Sequence, residues 1–254
     1  MNRIDKQFET LIKMQKTAMI GYSVIGDPDY DMSLAIIRQM IGNSCDIIEL
    51  GLPFSDPIAL SEDLQKANVR ALTHHMTTPM AMQFIKEIRE MTTIPLILNV
   101  YYNQIFRYGV SEFFSEANSS GVDGIFIGDL PIEHQHEVIK SAQKYNIYIL
   151  SLMTPSPLER IMKIVENAHG YLYCAARLKE LPQFIEMLNK ETAIPKIIML
   201  NQEDLFDFKK EKYLENGIKV ENVIIKAIPS LLDSSMTLEE LGQTIKEISN
   251  IIHQ

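Results

Sequence analysis

Short apolar runs alternate with longer amphipathic stretches from one end of this sequence to the other, with no linker or low-complexity tract between them. A chain of βα units requires that alternation. A strand buried on both faces reads as a compact apolar run, and the helix that covers it reads as a stripe of period 3.6. Strands are expected near Ala18–Tyr22, Asp46–Leu50, Leu96–Val100, Gly124–Ile127, Ile147–Leu152, Tyr171–Cys174, Lys196–Met199 and Val223–Ile225. Helix-like stretches such as Met32–Ile41, Pro79–Met91, Ser111–Ser120, Ile132–Tyr145, Leu158–Ala168 and Leu238–Ile252 lie between them. Several are opened by Asp, Ser or Thr in capping positions.

Eight such units close a barrel, and 254 residues match the roughly 250 of one complete α/β barrel. Residues 1–254 are therefore expected to form a single (β/α)8 TIM barrel of the α/β class. Met1 to Lys16 place Phe8, Leu11 and Ile12 at helical spacing among charges, which predicts an extra N-terminal amphipathic helix. Ile94-Pro95 and Ile194-Pro195 precede the third and seventh strands, where proline holds the entering chain extended. In such barrels the reactive groups sit on loops leaving the C-terminal strand ends. The search for function thus narrows to eight short exits.

Composition removes several classes of function. The net charge of −9 disfavours nucleic acid and anionic membrane surfaces, leaving room for a local basic pocket. No apolar run reaches the ~18 residues that cross a bilayer, and the first residues lack the apolar block of a signal peptide. A cytoplasmic location is expected. Cys45 and Cys174 sit in apolar strand-like surroundings and read as buried, inert thiols. His134 and His136, like His74 and His75, lack a third ligand and read as solvated, so no metal is expected. Glycine is scarce: 11 of 254 residues, about 4% against an average near 7%. A barrel that binds phosphate through backbone N–H groups spends glycines where the anion approaches closely.

The first exit reads Gly21-Tyr22-Ser23-Val24-Ile25-Gly26-Asp27-Pro28, ending in a tight turn. The second reads Ile48-Glu49-Leu50-Gly51-Leu52-Pro53-Phe54-Ser55-Asp56-Pro57. Further on stand Tyr101-Tyr102-Asn103, Gly121-Val122-Asp123-Gly124, Asp129-Leu130-Pro131 and Gly170-Tyr171-Leu172-Tyr173, with Arg177 beyond. Taken in this order, the runs resemble the tryptophan synthase alpha chain family. The resemblance is strong up to about Arg177.

The resemblance implies retro-aldol cleavage of indole-3-glycerol phosphate to indole and glyceraldehyde 3-phosphate. Indole then passes to a beta chain carrying pyridoxal phosphate (PLP), so this chain itself needs no cofactor. Protonating the indole ring carbon and removing a hydroxyl proton is work for a strand-end carboxylate. Glu49 stands at that family position. The family's second carboxylate, which stabilises the indole nitrogen as positive charge develops, is matched by Leu60. A leucine provides no such electrostatic stabilisation, and Glu62 or Asp63 are the acids near enough to replace it. Tyr22, Tyr102, Tyr173 and Arg177 are the candidates for a substrate pocket; the tyrosines, Tyr101 among them, also read as ordinary core or rim aromatics. Pro53, Phe54, Ser55, Asp56, Pro57, Asn103 and Pro131 match parts that face the beta chain in an alpha2beta2 assembly.

The family holds its phosphate with glycine-rich loops after strands six, seven and eight and with a helix N-terminus. Here the expected exits read Arg177-Leu178-Lys179-Glu180-Leu181-Pro182, Leu200-Asn201-Gln202-Glu203-Asp204 and Lys226-Ala227-Ile228-Pro229-Ser230. The first is short and without glycine, the second carries two acids, and the third contains a proline that lacks a backbone donor. The leading expectation is an alpha subunit that binds and activates a beta chain while its own lyase activity is lost or strongly impaired. The competing reading is a working lyase using Glu62 or Asp63 for the missing acid and Arg177 for the phosphate loops. A further alternative is a barrel that binds a different, unphosphorylated ligand.

Overall fold

In the computed structural model, which describes residues 1–58, 60–200 and 216–253, eight parallel strands close in sequence order into a barrel, β1 pairing with β8. The strands are β1 Ala18–Val24, β2 Ile47–Gly51, β3 Leu96–Val100, β4 Gly124–Ile127, β5 Tyr148–Met153, β6 Leu172–Cys174, β7 Lys196–Leu200 and β8 Gly217–Val220. Among the described residues the α-helices are α1 Arg3–Lys13, α2 Tyr30–Gly42, α3 Glu62–Thr73, α4 Thr78–Met91, α5 Tyr102–Tyr108, α6 Val110–Ser120, α7 His136–Lys144, α8 Leu158–Asn167, α9 Leu181–Glu191, α10 Asn222–Leu232 and α11 Leu238–Ile252.

Seven strands fall where the sequence predicts them, and the eighth does not. Val223–Ile225 lies inside α10, and the strand is Gly217–Val220. The apolar run Val223-Ile224-Ile225 is buried because α10 is buried along most of its length, and a short apolar run does not by itself separate a strand from a covered helix. The true strand carries Lys219 at its centre, which breaks the apolar pattern. As a result Lys226 to Ser230 are not a strand exit: they belong to α10, with Pro229 inside the helix. The exit after β7, from Asn201 onward, lies outside the described residues.

The barrel floor is closed by α1. Its N-cap Asn2 accepts from Ile4 N and exchanges a capping box with Asp5. The Asn2 amide also donates to the carbonyls of Asp123 and Asn146, tying the helix to the loops below β4 and β5. Ile4, Phe8 and Leu11 then pack on Ala18, Ile47, Ile97 and Tyr171 in the barrel interior. Burying each of these side chains contributes roughly 1.5–3 kcal/mol. With α1 packed under the floor, the described interior opens toward the C-terminal strand ends.

Candidate active site

The uppermost interior layer is polar, unlike the layers beneath it. Alternation along each strand turns Tyr22 of β1, Glu49 of β2, Asn99 of β3, Tyr173 of β6 and Lys219 of β8 toward one another. Glu49 is 0% exposed and Lys219 1%. Glu49 Oε1 accepts from Asn99 Nδ2 at 2.7 Å and from Lys219 Nζ at 2.9 Å. Oε2 accepts a short hydrogen bond from the Tyr173 hydroxyl, which itself meets the Tyr171 hydroxyl at 2.8 Å. Lys219 Nζ also pairs with Glu221 at 2.7 Å and sits 4.8 Å from the Tyr22 ring centre and 5.2 Å from that of Tyr173. Gly51 is needed beside this layer, because a Cβ there would run into the Tyr22 hydroxyl.

Burial pushes the Tyr173, Tyr22 and Tyr171 hydroxyls well above the usual tyrosine range, and Glu49 adds to the shift in each. All three remain donors rather than phenolates. Burial alone would favour the neutral Lys219 amine. Glu49 and Glu221 outweigh that and hold its pKa above the ordinary lysine value. The result is a closed circuit in which both oxygens of Glu49 are committed to interior donors.

Above this layer lies a cavity of about 520 Å³, walled largely by Leu60, Leu64, Tyr101, Phe126, Leu152 and Met199. Lys219, Asn99, Ser61, Asn222, Asp129 and Glu221 form its polar wall. Leu60 contributes an apolar side chain that packs against the core. Ser61 caps α3, placing Glu62 and Asp63 in its first turn, where acids complement the helix dipole. Glu62 is exposed and pairs with Lys66 at 2.7 Å, one turn along the same helix. Asp129 is exposed, and its Oδ1 accepts from Tyr102 N at 2.9 Å.

Of the predicted pocket residues, Tyr22 and Tyr173 are buried in the ion-paired layer, and Tyr102 is half-buried at the start of α5. Arg177 points into solvent, its side chain 87% exposed with one loose contact of 3.9 Å to Glu180. It does not line the cavity. At the real exit of β8, Glu221 directly precedes α10. A carboxylate therefore occupies the helix end that would otherwise attract an anion. Lys219 and Glu221 went unread in the sequence because the eighth strand was placed too late. The signal for them was a lone lysine within the run Gly217-Ile218-Lys219-Val220.

Of the segments read as partner-facing, the Pro53–Pro57 loop is tied to its neighbours. Phe54 N donates to Asn68 Oδ1 at 2.9 Å, and the Phe54 ring stacks on Tyr101 with centres 4.9 Å apart. Gln104 Nε2 donates to Pro53 O at 2.9 Å, binding this loop to α5. Ser55, Asp56, Asn103 and Pro131 are exposed, Pro57 is half-buried and Pro53 is buried beneath them. Buried Asp27 and Arg70 make a two-point ion pair at 2.6 and 2.9 Å that joins the first exit to α3. Cys45 and Cys174 are both buried, and burial pushes each thiol up to about 12.

Glu49 in β2 and the Pro53–Pro57 loop that follows it lie within a stretch that a known family covers. A family model described as tryptophan synthase alpha chain matches residues 8–179. The chain belongs to the tryptophan synthase alpha chain family. A tryptophan synthase alpha chain of Caldanaerobacter subterraneus subsp. tengcongensis is 34% identical over 99% of this chain and 100% of its own length. One of Methanoregula boonei is 38% identical over 75% of this chain and 74% of its own. The crystal structure of tryptophan synthase subunit alpha from Legionella pneumophila superposes with a TM-score of 0.91 at 29% identity, covering 99% of this chain and 98% of that one. Among the described residues, no helix is long and apolar enough to cross a membrane.

Proposed function

We propose that this member of the tryptophan synthase alpha chain family binds a PLP-dependent beta chain and activates it, while its own cleavage of indole-3-glycerol phosphate is lost or strongly impaired. The observation that carries this reading is the commitment of Glu49: Asn99, Lys219 and Tyr173 engage both of its oxygens. With Oε1 accepting two of these bonds and Oε2 one, a substrate has to compete with interior donors for this carboxylate. Leu60 supports the same conclusion, since the cavity wall is apolar where the family implies a second acid.

Phosphate binding is opposed at the same mouth. Glu221 and Asp129 are both in the cavity wall, and Lys219 is the cation that Glu49 and Glu221 share. Each charge-assisted hydrogen bond missing from a phosphate nest forfeits about 1.5–3 kcal/mol. Of the residues that a rearranged lyase would use, Arg177 and Glu62 are exposed and Asp63 is half-buried in the first turn of α3. The match to the family model ends at residue 179, before β7, β8 and α10.

The rim retains what a partner would need: an ordered loop with exposed Ser55 and Asp56 beside exposed Asn103. An alpha chain that binds the closed form of its partner more tightly than the open form shifts that equilibrium without a ligand of its own. Such an assembly would be alpha2beta2, with PLP on the beta chain. The test mixes this chain with its beta chain and compares tryptophan formed from indole plus serine with tryptophan formed from indole-3-glycerol phosphate plus serine. Stimulation of the first without the second is expected. Turnover of the glycerol phosphate at a comparable rate contradicts the loss of the lyase, and no stimulation of the indole reaction contradicts activation.

A further inference from the structure

We infer that Lys219 is a carbonyl-reactive amine, able to form a covalent iminium with a small uncharged aldehyde or ketone held in the apolar cavity above it. This goes beyond the activator role and does not depend on the presence of a beta chain.

Three features of the site support it. First, Lys219 is buried within the barrel yet forms part of the wall of a cavity of about 520 Å³, so a ligand there meets an amine shielded from bulk water. Second, Glu221 at 2.7 Å and Glu49 at 2.9 Å both touch Nζ, giving two carboxylates that can take its proton and return it. Third, the charge is the same before and after. An ammonium plus a carbonyl becomes an iminium plus water, so the two carboxylates and the Tyr22 and Tyr173 rings that stabilise the resting cation also face the product cation.

The step balances without an oxidant or reductant. A carboxylate takes one proton from the ammonium, and the freed lone pair of Nζ forms a bond to the carbonyl carbon as the carbon–oxygen π pair moves to oxygen. A proton passes from nitrogen to that oxygen, giving a neutral carbinolamine. The carboxylic acid then protonates the hydroxyl, water leaves, and the nitrogen lone pair closes the carbon–nitrogen double bond. The ligand class follows from the walls: Leu60, Leu64, Tyr101, Phe126, Leu152 and Met199 favour an apolar body, while Glu221 and Asp129 oppose an anion.

The experiment incubates the full chain with phenylacetaldehyde and sodium cyanoborohydride, which reduces an iminium to a stable secondary amine. The modified lysines are then mapped by peptide mass spectrometry over time. Lys219 is expected to carry the phenethyl group alongside the exposed lysines, although Glu49 and Glu221 keep it protonated at rest, and Glu49→Gln is expected to slow that labelling by about 100-fold. Glu221→Gln, at the more exposed carboxylate, serves as a second variant should Glu49→Gln not fold. Lys219→Arg keeps the cation and loses the label, with thermal unfolding reporting that the fold is intact. An unmodified Lys219 beside heavily labelled surface lysines overturns the inference. Labelling at the wild-type rate in both carboxylate variants overturns the proton transfer. Faster labelling of Lys219 by glyceraldehyde 3-phosphate than by phenylacetaldehyde overturns the uncharged ligand class. None of these readouts measures indole-3-glycerol phosphate turnover or beta-chain activation, so they fail or succeed separately from the proposed function.

Discussion

Lys219 and Glu49 hold the barrel mouth together by opposing charges that neither could carry there alone. Removing one partner of a buried ion pair strands the other, at a cost of about 3–5 kcal/mol. Lys219→Met should therefore lower the unfolding free energy by about that amount in urea titrations, and adding Glu49→Gln should recover part of the loss. The pH dependence has a definite sign. Because the folded chain holds the Lys219 pKa above its ordinary value, its contribution is fully present below the usual lysine pKa of about 10.4 and is lost as pH rises through the folded value. Tyr22, Tyr171 and Tyr173, also raised, act in the same direction. Wild-type stability should fall in the alkaline range, and more steeply than that of the Lys219→Met, Glu49→Gln double variant. A flat profile up to pH 11 would count against the network.

A second residue-scale prediction concerns the missing acid. Leu60 lines the cavity, and Leu60→Asp would place a carboxylate at the family's position. It leaves Glu49 engaged by Lys219 and leaves Glu221 before α10. Leu60→Asp alone should not restore indole release from indole-3-glycerol phosphate. A large gain in that assay would mean that the ion-paired layer and Glu221 at the β8 exit matter less than argued.

At the scale of elements, the loop Pro53–Pro57 owes its shape to α3 and α5. Asn68 fixes Phe54 from one side, and Tyr101 and Gln104 fix it from the other. Tyr101→Ala should lower the stimulation of the beta-chain reaction by several-fold while changing thermal stability little, since Tyr101 is half-buried at the rim. Unchanged stimulation would place the partner contact elsewhere. These elements also separate what sequence reveals from what it conceals. Strands one to seven and the Glu49–Pro57 exit are legible because apolar periodicity and a dense motif act over neighbouring residues. The eighth strand is not, because burial of α10 makes Val223–Ile225 as apolar as a strand while Lys219 makes the real strand look polar. Lys219 is paid for by Glu49, 170 positions away in sequence, and a long-range pair of this kind leaves no local pattern.

Across the whole molecule, the barrel keeps the family's frame, and Glu49 is buried in its interior. α1 seals the floor, the polar layer closes on itself, and the cavity above is apolar with carboxylates at Glu221 and Asp129. Among the described residues, a phosphorylated indole should find no nest for its phosphate, and it should meet Glu49 already engaged by interior donors. Isothermal titration calorimetry with the uncleavable analogue indole-3-propanol phosphate, in the presence of the beta chain, reads this directly. The account predicts binding no tighter than about 1 mM, some 4 kcal/mol. A Kd near 1 μM, about 8 kcal/mol, would mean that the substrate half of the site is intact and would contradict it.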